Sequence, residues 1–192
     1  MKTIMAMLIA GMALPAIPAA AQTSGDVTEM ARIYQDDQAV RENIKPEQLK
    51  DREFVTRMIA QDRARRARTA ELMQQGRLTT ADDFYHAAFV FQHGSEPGDY
   101  LLAHSLAIAA TALGRKDASW IAAATLDRYL QAIGQKQIYG TQYRNSPETG
   151  PTMEPYDHAL ISDALRRALG VPVQVEQQKR LDGMKAQLPA AR

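Results

Sequence analysis

The 192-residue chain contains no cysteine. That excludes disulfide staples, thiolate catalysis and cysteine metal ligation, and it removes the attachment residue a bacterial lipoprotein needs. Stability must come from packing and hydrogen bonds. A charge excess is lacking too: 23 Lys and Arg stand against 22 Asp and Glu. The one extra cation is Lys2, so the chain from Gln22 onward is close to neutral. A partner such as nucleic acid or an anionic membrane surface usually requires a basic excess, and none is expected here. Long apolar runs are missing beyond the N-terminus. The run from Ile4 to Leu14 is broken by Pro15 and Pro18, well short of the roughly 18 residues a spanning helix needs.

Lys2, that short apolar run and the small residues Ala19-Ala20-Ala21 together form a secretory signal pattern. Residues 1–21 are therefore expected to be a cleavable signal peptide, with residues 22–192 forming a single mostly helical domain. The expected location is periplasmic or secreted, with no stable membrane anchor after cleavage. About 170 residues suffice for one core without staples.

Several catalytic motifs are absent. Gly94-Ser95-Glu96-Pro97-Gly98 is not a Gly-x-Ser-x-Gly elbow, because its Ser comes one place early and no strand precedes it. There is no glycine-rich phosphate loop. His86 and His93 lie seven residues apart, about 10.5 Å along a helix, which is too far to hold one metal together. His104 and His158 stand alone. Neither a metal nor any other cofactor is expected.

What is present is helical spacing from Asp26 onward. The fold class is mainly α: a compact domain of about six or seven helices with one irregular or short β segment near residues 135–155. Asp26 with Glu29 resembles a capping box for a first helix that fades before Ile44. A long second helix runs from Glu47 or Asp51 to Gln75, stopping at Gly76. Thr79 or Thr80 caps a third, apolar nearly all round, that reaches His93 and is expected to be central. Asp99 and Asp117 are placed as caps of a fourth and fifth helix ending at Gly114 and Gly134. Ala107, Ala109, Ala110 and Ala112 on one, and Ala122, Ala123 and Ala124 on the other, predict a close antiparallel pair. No second copy of that pair exists to support a helical repeat array. Between Gly134 and Pro155 the helical spacing gives way to alternation, which permits a strand or hairpin. Helix resumes near Tyr156 or Asp157 and stops at Gly170, and a last helix covers Val175 to Leu188.

One stripe of the second helix, Val55, Ile59, Asp62, Arg66, Thr69 and Met73, is polar in its middle. Asp62 and Arg66 are four apart, the spacing at which such a pair touches. They form either an ion pair at the domain edge or part of a pocket. Arg63, Arg65 and Arg68 fall on or near other faces and read as solvated surface. Asp127 and Arg128 are adjacent, hence about 100° apart on their helix, and each needs a partner elsewhere. Asp127 sits at the margin of an apolar stripe.

Gln92-His93-Gly94, Leu126-Asp127-Arg128 and Gln137-Ile138-Tyr139-Gly140-Thr141-Gln142 together resemble a bacterial domain-of-unknown-function family with Gln-His-Ala-Asp-like, Leu-x-Asp-Arg and Gln-x-Tyr-Gly-Thr-Gln motifs in this order. The resemblance spans about residues 50–175 and departs from the family at Gly94-Ser95, where a small residue and Asp are usual. It implies a site rather than an activity: Asp62, Arg66, Gln92, His93, Asp127, Arg128, Gln137, Tyr139, Thr141 and Gln142 converging on one face. Three functions follow as expectations. The first is recognition of a small polar ligand or peptide by Arg66, Gln92, Arg128, Gln137, Tyr139, Thr141 and Gln142, since amides and guanidinium groups suit bidentate binding. The second is a hydrolase with His93 as general base, Asp62 or Asp127 orienting it, and Arg128 or Tyr139 stabilising negative charge. The third is an envelope protein in which the cluster only pins the fold.

Overall fold

The computed structural model describes residues 28–45, 47–146 and 150–187. The expected signal peptide and the Asp26 cap lie outside these residues. Among them the chain is mainly helical, with seven α-helices and one two-stranded antiparallel sheet.

Local chemistry sets most boundaries. Helix α1 (Glu29–Glu42) starts at Thr28, whose hydroxyl accepts from the Ala31 N–H at 3.1 Å. After a single 3₁₀ turn, α2 (Arg52–Gln74) is capped by Asp51, which accepts from the Glu53 and Phe54 N–H groups. Helix α3 (Ala81–Phe91) opens with a reciprocal box: Thr80 Oγ1 accepts from Asp83 N–H at 3.1 Å, and Asp83 accepts from Thr80 N–H at 3.0 Å. Each such cap satisfies donors the helix cannot, and is worth about 1 kcal/mol.

Helices α4 (Pro97–Ala112) and α5 (Ala118–Ala132) form the most extensive pair, and α3 packs on α4 almost as broadly. The expected alanine seam is there with a changed roster. Ala103, Ala107 and Ala110 of α4 and Ala122, Ala123 and Ala124 of α5 are buried, whereas Ala112 is exposed. Small side chains let the backbones approach, and His104 Nδ1 lies 2.9 Å from the Ala122 carbonyl across the seam. The core continues through Ala87, Ala88, Val90 and Phe91 of α3 to Leu72 of α2 and Met30 of α1.

Two expectations shift at helix starts. Helix α4 begins at Pro97, not behind Asp99: proline is favoured in a first turn, and Asp99 reaches back to accept from the Ser95 and Glu96 N–H groups. Asp117 precedes α5 but makes no side-chain cap, because its carboxylate pairs with Arg115.

The larger correction concerns the segment after α5. Strands β1 (Arg144–Ser146) and β2 (Gly150–Thr152) form the hairpin, beyond most of the alternating stretch. Helix does not resume at Tyr156. There Gln137 and Tyr156 form an isolated bridge, and Asp157 accepts from the Ala159 and Leu160 N–H groups in a tight turn. The helix, α6 (Asp163–Ala168), waits for the Ser162 cap and runs only six residues. Helix α7 (Gln174–Ala186) then lays Leu181 against Met153 and Tyr156 in a small second core.

Candidate functional site

Helix α1 buries just two residues in its described length, Met30 and Asp37, seven positions and so two turns apart on one face. Met30 enters the apolar core. Asp37 is 0% exposed and enters a nest of cations where α1, α2 and the end of α3 meet. Its Oδ1 lies 2.9 Å from Arg41 Nη1 and 3.3 Å from Arg65 Nε, and its Oδ2 lies 3.6 Å from His93 Nε2. Asp62, also buried, accepts from Arg41 at 2.9 Å and from Arg65. Two acids and two arginines thus form a square joining α1 to α2.

Arg66 and Arg128 stand at the margin of that square. Arg66 donates to the His93 carbonyl at 2.8 Å and its Nε lies 3.8 Å from Asp99. Arg128 donates weakly to the Gln92 carbonyl at 3.5 Å and pairs with no carboxylate among the described residues. Among the described residues its Nε has no hydrogen-bond partner, and neither has His93 Nε2 nor Arg65 Nε, whose approach to Asp37 is too poorly angled for a hydrogen bond. Four guanidinium groups therefore face three carboxylates.

Burial and this positive field act together on the ionisation. Burial first, then Arg41, Arg128, Arg65 and Arg66, depress the His93 imidazole to about 3, so the ring is neutral near pH 7. Burial lowers the Arg128 value from its usual one, with Arg41 adding to the effect. Burial raises Asp37, against the pull of Arg41 and Arg65. The rim remains open: the side chains of Arg41, Arg66, His93 and Asp99 keep between 14% and 24% of their exposure.

One residue on from Arg128, the arrangement is of another kind. Asp127 is 0% exposed, and its two oxygens accept from Ile138 N–H (2.8 Å), Tyr139 N–H (3.0 Å), Thr141 N–H (3.0 Å) and Thr141 Oγ1 (2.8 Å). The carboxylate holds the loop onto α5. Gln137 closes the same loop by accepting from Gln142 N–H at 3.0 Å and donating to the carbonyls of Gln142 and Met153. Gln142 donates to the Ala124 carbonyl at 3.1 Å. Gly140 has φ +78°, and a Cβ there would stand 2.4 Å from Gln177 Oε1 and 2.7 Å from the Tyr156 hydroxyl, so no side chain fits. Beneath it, the fully buried Arg166 donates to Tyr156 Oη at 2.6 Å and to the Ile161 carbonyl, and Gln177 donates to the Tyr139 and Pro172 carbonyls.

The ten residues expected on one face accordingly divide. Asp62, Arg66, Gln92, His93 and Arg128 belong to the cation nest; Asp127, Gln137, Tyr139, Thr141 and Gln142 belong to the loop network. No hydrogen bond or ion pair joins His93 to Asp62 or to Asp127 among the described residues. Asp62 and Arg66 do not pair with each other either, because Asp62 turns to Arg65, three residues on, and to Arg41. Arg65 is the clearest correction. Expected in solvent, its side chain is 12% exposed inside the nest. The helix turns by 100° per residue, so Arg65 and Arg66 flank Asp62, Thr69 and Leu72, the buried line of α2, whereas Ile59, placed on that line by the spacing, is 58% exposed.

Asp37, Arg41, Arg166 and Gln177 complete the two groups. Met30, Asp37 and Arg41 recur at seven and four, the signal that marks Asp37 as an acid in an apolar position. Gln177 and Leu181 carry the same signal on α7.

Among the described residues no group of three or more His, Asp or Glu side chains could hold a metal ion. Three surface cavities, including one of about 300 Å³ lined by Val40, Asn43, Phe54 and Met58, contain no residue of the nest. No helix of the described residues is long and apolar enough to cross a membrane. No protein-family model, curated protein or solved structure matches the chain.

Proposed function

We propose that this chain is an exported helical domain that binds a small polar ligand or a peptide at the cation nest formed by Arg41, Arg65, Arg66, His93 and Arg128. Export rests on the signal pattern of residues 1–21, and the bacterial family resemblance belongs to the same reading. The observation that supports binding is Arg128, a largely buried guanidinium with no carboxylate partner and an unsatisfied Nε among the described residues. A buried cation left unpaired costs stability, and such groups are kept where a ligand completes them.

The hydrolase reading has less support. A general base works best with a value near the working pH, and His93 is held near 3 with neither Asp62 nor Asp127 in contact. The loop network suits the architectural reading for its own half, because the Gln137 amide, the Thr141 hydroxyl and the Gln142 amide nitrogen are engaged internally.

The test is a two-dimensional amide NMR titration of the protein from Gln22 onward against short peptides, amino acids and soluble cell-wall fragments. Perturbations centred on Asp62, Arg66, His93 and Arg128 are expected. A library that perturbs only the surface of α7, or nothing at all, overturns the reading.

A further inference from the structure

Counting charge in the nest narrows the ligand. Asp37 and Asp62 are shared between Arg41 and Arg65, so that square is balanced. Arg66 has Asp99 at 3.8 Å. Among the described residues Arg128 is left over, one uncompensated positive charge, and the adjacent His93 is neutral. Two nitrogens of the same corner, Arg128 Nε and His93 Nε2, are buried without a hydrogen-bond partner among the described residues, although His93 Nε2 faces Asp37 Oδ2 at 3.6 Å. A guanidinium presents a planar fork that matches a carboxylate with two parallel hydrogen bonds.

We propose that the corner formed by Arg128 and His93, at the open rim between Arg41 and Arg66, is a subsite for one carboxylate group. It takes one negative charge and no more. Phosphate, which carries more than one at neutral pH, would meet Asp37, Asp62 and Asp99 with a single free cation to offset it. The neutral imidazole, whose Nε2 faces Asp37 Oδ2 at 3.6 Å without a hydrogen bond, supplies either a donor or an acceptor beside the carboxylate, as the tautomer dictates. This inference rests on the binding reading above and specifies its ligand. The carboxylate could be that of a free acid or a peptide C-terminus, and the two are separated by experiment.

The experiment titrates the protein from Gln22 onward with acetate, acetamide, inorganic phosphate, trialanine and trialanine amide, following amide shifts near His93 and Arg128. Acetate and trialanine are expected to bind at least about tenfold more tightly than their amides and than phosphate, the scale of one charge-assisted hydrogen bond. Trialanine tighter than acetate assigns a peptide terminus, and equal affinity assigns a free acid. Arg128→Gln should abolish the preference for carboxylate over amide, whereas Arg128→Lys, which keeps charge without the fork, should retain only part of it. Asp37→Asn, by releasing a second positive charge, should bring phosphate up towards acetate. Equal binding of acetate and acetamide overturns the carboxylate subsite and leaves the binding reading standing, and so does phosphate matching acetate in the unsubstituted protein. If none of the five probes binds and no peptide or cell-wall fragment binds either, both fall.

Discussion

Asp127 and Arg128 are neighbours on one helix, and they sit in opposite electrostatic situations. The aspartate accepts four hydrogen bonds at 2.8 to 3.0 Å from three backbone N–H groups and a hydroxyl of one loop. Beside it the arginine makes one long side-chain bond and leaves a buried N–H empty among the described residues. A group whose bonding capacity is filled from within the chain is architecture. One whose capacity is unfilled costs free energy in the resting protein, and a ligand is what would repay it. The contrast extends to the groups around them: Gln137, Arg166 and Gln177 have their side-chain polar atoms engaged, whereas Arg65 and His93 each keep a buried nitrogen without a hydrogen-bond partner among the described residues.

The strongest way to break this contrast is at Asp127. Asp127→Ala leaves three backbone N–H groups and the Thr141 hydroxyl without acceptors and frees the loop from α5. The expected loss is about 4 kcal/mol, since each buried donor left unsatisfied costs about 1 to 3 kcal/mol and the loop relaxes in part. Urea unfolding measures it. A loss below about 1 kcal/mol would show that residues 138–141 are held by other contacts and that the network is not what fixes them.

How much of this was legible in the sequence follows from where the partners lie. Thr80 and Asp83, or Asp51 and Phe54, meet within one turn, and their spacing alone predicts the cap. The alanine seam of α4 and α5 was legible because helical periodicity repeats it several times over. Asp127 was marked as needing a partner, yet nothing local says that the partner is the backbone of a loop eleven to fourteen residues away. The sequence misplaces Arg65 because a stripe drawn through Val55 and Ile59 rotates the buried line of α2 by one residue, and only the packing of α1 shows which line is covered. The shortness of α6 was invisible for a similar reason. Gln137 and Tyr156 pair across a loop, and that pairing overrides the helical propensity of the residues between Asp157 and Asp163. The nest and the network look like one site in the sequence because their residues interleave along the chain, although adjacent helix positions point in different directions.

A second test sharpens the contrast through pH. In the unfolded chain His93 takes up a proton near its ordinary 6.5, but in the folded chain it stays neutral down to about 3. The unfolded state therefore binds more protons throughout that window. Stability is present above about pH 6.5 and is lost as pH falls, by about 1.4 kcal/mol per unit once below it, hence about 2 kcal/mol at pH 5. Asp37, raised by burial, acts in the opposite sense, losing stability as pH rises from its ordinary range to its folded one. It is present in both proteins when the unsubstituted chain is compared with His93→Gln. Urea unfolding between pH 4.5 and 7.5 should show a steeper decline towards acid for the unsubstituted protein, by about one proton. Parallel profiles would mean that the imidazole is already solvated and that the nest is looser than its geometry implies.

The smallest expected effect is the most discriminating, because it falls one residue from the largest. Arg128→Met keeps a long, flexible side chain, removes a buried unpaired charge and takes away the donor whose Nε has no acceptor. If Arg128 were part of the scaffold, its loss would cost about 2 kcal/mol or more, as the loss of a bonded buried polar group does. With no carboxylate partner to strand, the substitution should instead leave stability unchanged or raise it by up to about 1 kcal/mol, as apolar replacements of buried charges often do. Thermal and urea unfolding of Arg128→Met beside Asp127→Ala decide the matter in one experiment. A sharp loss at 127 with none at 128 places the boundary between scaffold and site between two consecutive residues of α5, where the 100° turn of the helix directs one side chain into the loop and the other into the nest.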